Sequence, residues 1–204
     1  MPAAVWTGRN SDLDMVTADI SRALATELGL GSSPLAVTLS AESDGVPAGS
    51  LLPPRERFSG MPAPTHCFVY VDAPAPRPFE LRASIMSGRS GLRRSVGLGQ
   101  LLYAVPLAIS VPSRVSLGAS GFEGEPAITG LLTPLLATAD ALAVTKAGPD
   151  LNHTWQVERL LAIEPLPQGA LLVVRTLHRP SPGGWVLSSK AVLDFAARAE
   201  AALG

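Results

Sequence analysis

Apolar residues near the start of the chain recur at three- and four-residue spacing: Leu13, Val16, Ile20, Leu24 and Leu28. That spacing lines up one face of an amphipathic helix. Ser11 stands where a cap is wanted, Asp12 and Asp14 fall in the positively polarised first turn, and Gly29 and Gly31 end the pattern. After Pro34, the run Leu35-Ala36-Val37-Thr38-Leu39 predicts a strand. So does Thr65-His66-Cys67-Phe68-Val69-Tyr70-Val71, which is β-branched and aromatic. Strict alternation over residues 79–85 predicts a half-buried strand, and the apolar run at 169–178 another. Residues 128–136 predict a short helix. The chain ends in a helix capped by Ser188 or Ser189, with Val192, Phe195, Ala196, Ala199 and Leu203 on one face.

The centre of the pattern lies at 139–162. Residues 139–148 predict a short buried strand, Gly148-Pro149 a turn, and 150–164 a helix. Pro149 suits the first helical position, where its missing amide goes unnoticed, and Asp150 places negative charge at the positive end of the helix dipole. A further helix is expected to begin near Gly91. Residues 43–64, rich in Gly, Pro and Ser, predict a long irregular connection. The fold class expected is α+β (mixed α/β): a single compact domain over 11–204 behind a flexible arm at 1–10, with a sheet of four or five strands packed by three or four helices.

Composition narrows the function. The 204 residues are 47% apolar and 16% charged, far from a disordered profile. A net charge of -1 argues against nucleic acid and anionic membrane as generic partners. One cysteine excludes an internal disulfide or a cysteine-built metal cage within a single chain. With no leader-like segment and no uncharged apolar run of the ~18 residues a bilayer needs, a cytoplasmic location is expected.

Three constellations could carry chemistry. On a helix from Pro149, His153 shares a face with Val157, Leu160 and Leu161. A histidine turned inward at a helix N-terminus stays neutral, the form that takes a proton or a metal; a core or capping histidine is the competing reading. Trp155 joins it on the ligand-binding side. His66-Cys67 offers a thiol and an imidazole, but adjacent strand residues point to opposite faces, so a Cys67 nucleophile needs another histidine. The third is basic: Arg89, Arg93, Arg94 and Arg114 lie between Met86 and Ser120 with no acid among them. With Gly91 exposing backbone amides, Arg89, Arg93 and Arg94 form a recipe for holding a carboxylate or phosphate; solvated loop arginines are the alternative. Glu125, in a glycine-rich loop, serves as acid or base only if the fold buries it.

Several phrases, Leu28-Gly29-Leu30, Pro34-Leu35-Ala36-Val37, Val46-Pro47-Ala48-Gly49, His66-Cys67, Val96-Gly97-Leu98-Gly99 and Glu158-Arg159-Leu160-Leu161-Ala162, follow one another in an order that resembles an uncharacterised prokaryotic family, the domain of unknown function numbered 169. The resemblance implies a fold and no activity. Where that family carries a cysteine in its glycine-rich phrase, this chain has Ser87, Ser90 and Ser95, so thiol chemistry does not carry over.

Three functions are compatible with these residues. The leading one is an enzyme on a small anionic metabolite, held by Arg89, Arg93 and Arg94 while His153, with Glu125 or Cys67, moves a proton. A second is a haem- or cofactor-binding protein with His66 or His153 as ligand. The third is a non-catalytic partner subunit, or a homodimer, whose apolar segments at 101–111 and 128–137 form an interface.

Overall fold

The structure, a computed structural model, describes residues 10–30, 36–41, 48–53, 67–73, 77–90, 93–143, 160–177, 179–181 and 184–204. Helix α1 (Asn10–Leu28) leads into strands β1 (Ala36–Ala41), β2 (Cys67–Ala73), β3 (Phe79–Ser90), β4 (Arg93–Leu107), β5 (Val115–Leu117) and β6 (Phe122–Glu123). Helix α2 (Pro126–Leu132), a 3-10 turn (Thr133–Leu135) and α3 (Leu136–Leu142) follow. Strands β7 (Leu161–Pro165), β8 (Ala170–Leu177), β9 (Arg179–Ser181) and β10 (Gly184–Val186) then precede the closing helix α4 (Ser189–Leu203).

Eight strands form one antiparallel sheet in the order β1-β2-β3-β4-β8-β7-β5-β6, and β9 and β10 form a separate hairpin. The α+β class is therefore as expected, but the sheet is nearly twice as wide as the four or five strands predicted. All described helices contribute to the cluster on one face. There Phe79, Leu81 and Ala83 of β3, Leu101, Tyr103, Val105 and Leu107 of β4 and Leu172 and Val174 of β8 are buried against Ile20 and Leu24 of α1, Leu132 and Leu142 of the middle helices and Phe195 and Ala199 of α4. Phe79 and Tyr103 sit with ring centroids 6.1 Å apart in a tilted pair. A smaller cluster of Leu52, Tyr70, Leu102, Ala104, Leu171 and Val173 fills the opposite face. Burial on both faces is why β4 and β8 read as nearly continuous apolar runs rather than alternating ones.

Three expected elements differ where the described residues reach them. The predicted strand at 139–148 begins inside α3, where Ala139 and Leu142 are buried one helical turn apart; alanine is the best helix former, and the packed face decided the matter. The predicted helix at 150–164 ends as strand: Leu161–Pro165 is β7, paired with β8 from Leu161↔Val174 to Pro165↔Ala170. Residues 144–159 lie outside the described residues. The helix expected near Gly91 is also absent, since β4 starts at Arg93. Alternation of Val96 and Leu98 with Ser95, Gly97 and Gly99 is the strand period that the glycines obscured. Gly99 and Gln100 together oppose Ser84, a β-bulge that shifts register between Ala83↔Leu101 and Ile85↔Leu98.

Helix α4 is held at both ends by other elements. At its start Ser188 has φ 65, a left-handed conformation, and makes no side-chain cap bond. The cap comes instead from Glu27 of α1, whose carboxylate accepts from the amides of Leu187 and Ser189, the latter at 2.8 Å. Beside it the buried Tyr103 hydroxyl donates to the Leu187 carbonyl at 2.7 Å, so Ser189 Oγ, 2.8 Å away, donates to Tyr103. Burial pushes the Tyr103 hydroxyl above its ordinary range; the Ser189 bond lowers it and the Glu27 charge adds to the rise, so it remains a donor throughout the accessible range.

Near the other end, Glu200 accepts from Arg77 Nη2 at 2.6 Å and from the Ala108 amide at 2.7 Å, and the same Arg77 nitrogen reaches the Pro106 carbonyl at 3.3 Å. Burial pushes the Glu200 carboxyl up, but the Arg77 and Ala108 bonds and the Arg77 charge outweigh it and hold it below the ordinary value of 4.5. A folded-state value below the unfolded one means stability that is fully present above about pH 4.5 and lost as pH falls through the depressed value. Glu200→Gln should therefore be less stable than wild type at pH 7, and its urea midpoint should fall less between pH 6 and pH 3. Parallel midpoint curves would show that Glu200 contributes nothing to the acid limb.

Candidate functional site

The sequence-predicted residues do not gather at one place among the described residues. Cys67 opens β2, opposite Ala41 on one side and Ile85 on the other. Arg89 pairs with Arg94, and Ser90 with Arg93, at the far end of the β3–β4 hairpin. That end extends past the last residues paired by β2, at Ile85, and by β8, at Gln100. The three arginines thus lie on a two-stranded ribbon and not at a helix N-terminus, while Gly91, whose amide was expected beside them, lies outside the described residues. Arg114 is committed to an ion pair, its Nε 2.9 Å from Glu164 Oε1. Glu125 is exposed at the start of α2, where its carbonyl accepts from Ile128 and Thr129. It adjoins β6, at the opposite end of the strand order from β2 and Cys67, so Glu125 is not the buried acid or base that the sequence allowed. His66, Gly91, His153 and Trp155 lie outside the described residues. No group of three or more metal-ligating side chains occurs among the described residues.

What the fold does assemble is a row on the sheet face opposite the helices. Tyr70 of β2 pairs with Arg82 of β3, Arg82 with Leu102 of β4, and Leu102 with Arg175 of β8. All four are buried, Arg82 at 8% exposure and Arg175 at 6%. The next row is apolar at its centre, where Ala104 pairs with Val173, and Leu52 and Leu171 complete the cluster. Two guanidiniums within an otherwise hydrophobic patch are unusual. A buried charge is costly unless it is hydrogen-bonded or paired, so such groups are kept out of water only where partners compensate.

Part of that compensation is a strap at residues 48–53 lying over the row. Arg82 Nη1 donates to the Pro53 carbonyl at 2.9 Å. Glu80, two positions before Arg82 on β3, accepts from the Leu51 amide at 2.9 Å and from the Ser50 hydroxyl, and Ser50 Oγ accepts in turn from the Leu52 amide at 3.2 Å. Leu52 is buried in the patch while its neighbour Leu51 is 40% exposed. The strap is thereby fixed by one arginine and one glutamate of the same strand. This accounts for order at a point where the Gly- and Pro-rich sequence promised only an irregular connection.

Sequence reasoning passed over Arg82 and Arg175. Arg82 sits in an alternating strand, where every second residue is taken for a solvent-facing one. Arg175 carried a clearer signal: it follows Leu171-Leu172-Val173-Val174, a run that implies burial on both faces, so a charge inside it is an anomaly. No helix among the described residues is long and apolar enough to cross a membrane. No family model, curated protein or solved structure matches this chain.

Proposed function

We propose that this protein binds a small anionic metabolite, a carboxylate or a phosphate, through Arg82 and Arg175 on the strap-covered face of its sheet. The observation that carries this reading is the pair of buried guanidiniums in one cross-strand row with the Tyr70 hydroxyl. Arginine presents five donors in a planar fork that matches the oxygens of a carboxylate or phosphate. An ionised acceptor forms bonds roughly twice as strong as a neutral one. An arriving carboxylate or phosphate therefore competes well with the Pro53 carbonyl for Arg82, and low local polarity strengthens the attraction. Anion recognition by arginine is retained from the sequence, with a different set of arginines carrying it.

Binding is read by thermal unfolding and calorimetry with inorganic phosphate and succinate. A ligand at 100 times its Kd adds about 2.7 kcal/mol to the stability of the folded state, a rise easily seen in Tm. Arg82→Met and Arg175→Met should each abolish that rise while leaving the ligand-free protein folded. If neither anion shifts Tm in the wild type, and both methionine variants melt at or above the wild-type temperature, the arginines are structural and the proposal fails. Replacing a buried charge with an apolar residue of similar volume often has that stabilising effect.

A further inference from the structure

We infer that the far end of the β3–β4 hairpin docks on double-stranded DNA by holding backbone phosphates, on a surface separate from the row of Arg82 and Arg175. Beyond Ile85, where β2 stops pairing, and Gln100, where β8 stops, the residues from Met86 to Ser90 pair with those from Gly97 back to Arg93. At about 3.3 Å per residue, these five pairs carry the ribbon about 16 Å past the sheet. Arg89 stands directly opposite Arg94, so the two share one face, and Arg93 takes the other face opposite Ser90. Like charges directly opposite one another destabilise a strand pair. An anion received between them turns that cost into an attraction. Residues 81–122 hold five arginines and no acid, so the net charge of -1 is an average over two unlike parts of the chain. The acids that β2, β3, β4 and β8 contribute are Asp72 and Glu80, opposite one another in register. Glu80 stands nine positions before Arg89. That is about 30 Å of strand, well beyond the screening length of about 8 Å at physiological salt.

The donor set selects the partner. Arginine forks and hydroxyls, here those of Ser87, Ser90 and Ser95, are groups that proteins place on DNA phosphates. Residues 86–97 contain no aromatic residue, neither the anchor on which protein interfaces concentrate their energy nor the platform on which single-stranded bases stack. A two-stranded ribbon also fits the major groove of B-form DNA, about 12 Å wide.

The experiment is fluorescence anisotropy of a labelled DNA duplex of mixed sequence, titrated with the full chain at about 50 and about 200 mM salt. Three neutralised phosphates give a slope of log K on log salt of about -2.7, so affinity should fall about fortyfold over that range. Arg89→Gln, Arg93→Gln and Arg94→Gln should each weaken binding at the lower salt and flatten the slope by about 0.9. Where glutamine unsettles the hairpin, Arg89→Lys and Arg94→Lys, which keep the charge, should hold the wild-type slope. No binding at the lower salt, or a slope unchanged in all three glutamine variants, would overturn the inference. So would binding to polyglutamate or to phosphatidylserine vesicles with none to the duplex, which would assign the hairpin to an acidic protein or a membrane surface.

Discussion

Glu27→Ala should lower the stability of the folded chain by about 2–4 kcal/mol, a substantial fraction of the about 5–15 kcal/mol that separates a typical domain from its unfolded state. The Leu187 and Ser189 amides that Glu27 accepts from belong to wholly buried residues, and the substitution leaves both donors unpaired. An unsatisfied buried donor costs about 1–3 kcal/mol, and the two are lost together. No local group takes over, because Ser188, at the N-cap position, sits in the left-handed region and makes no cap bond of its own. The effect is checked by urea unfolding at pH 7, with Glu27→Gln as the companion. Its amide oxygen still accepts, so it should lie between wild type and alanine. Equal midpoints for wild type and Glu27→Ala would mean that α4 is not capped by α1.

Gly169→Ala should cost about 2–5 kcal/mol, from backbone strain and overpacking together. Gly169 lies in the turn from β7 to β8, where its carbonyl accepts from the Leu166 amide at 3.2 Å. Its φ is 92, a conformation that residues with a side chain rarely adopt. An added Cβ would also lie 2.5 Å from the Leu107 carbonyl oxygen, which is backbone at the end of β4 and has little freedom to retreat. By contrast Gly49 is also at positive φ but has nothing within 4 Å, so Gly49→Ala carries the strain without the clash. A thermal scan should therefore show Gly169→Ala melting well below Gly49→Ala. The reverse order would mean that the β7–β8 turn yields readily and that packing against β4 does not fix it.

Placing these two residues needed the tertiary structure, yet much of the framework was legible beforehand. Helix α1 and helix α4 follow from apolar residues at helical spacing over long stretches, and β2, β3 and β8 from β-branched or alternating runs. In each case the local pattern and the packed face agree. The failures cluster where two patterns compete over a short distance. Leu161–Pro165 continues an apolar run that fits a helix face equally well, and only its pairing with β8 makes it a strand. The glycines around β4 read as a helix boundary because the long hairpin partner that gives them a register lies before a turn. Strand pairing is non-local, and nothing in a five-residue window reports it.

The site was less legible than the fold for the same reason. The sequence displays Arg89, Arg93 and Arg94 as a group because they are close along the chain, whereas Arg82 and Arg175 are 93 positions apart and come into one cross-strand row only because both their strands pair with β4. By itself the sequence determined the helical faces at the two ends of the described chain, the strongest strands and the α+β class. Those rest on periodicity, which is a property of the chain. The width of the sheet, the capping of α4 by Glu27, the strap clasped by Glu80 and Arg82, and the row that buries two guanidiniums were decided by tertiary structure alone. Each depends on which distant backbone lies alongside, a choice made by the whole sheet as it excludes water from both faces.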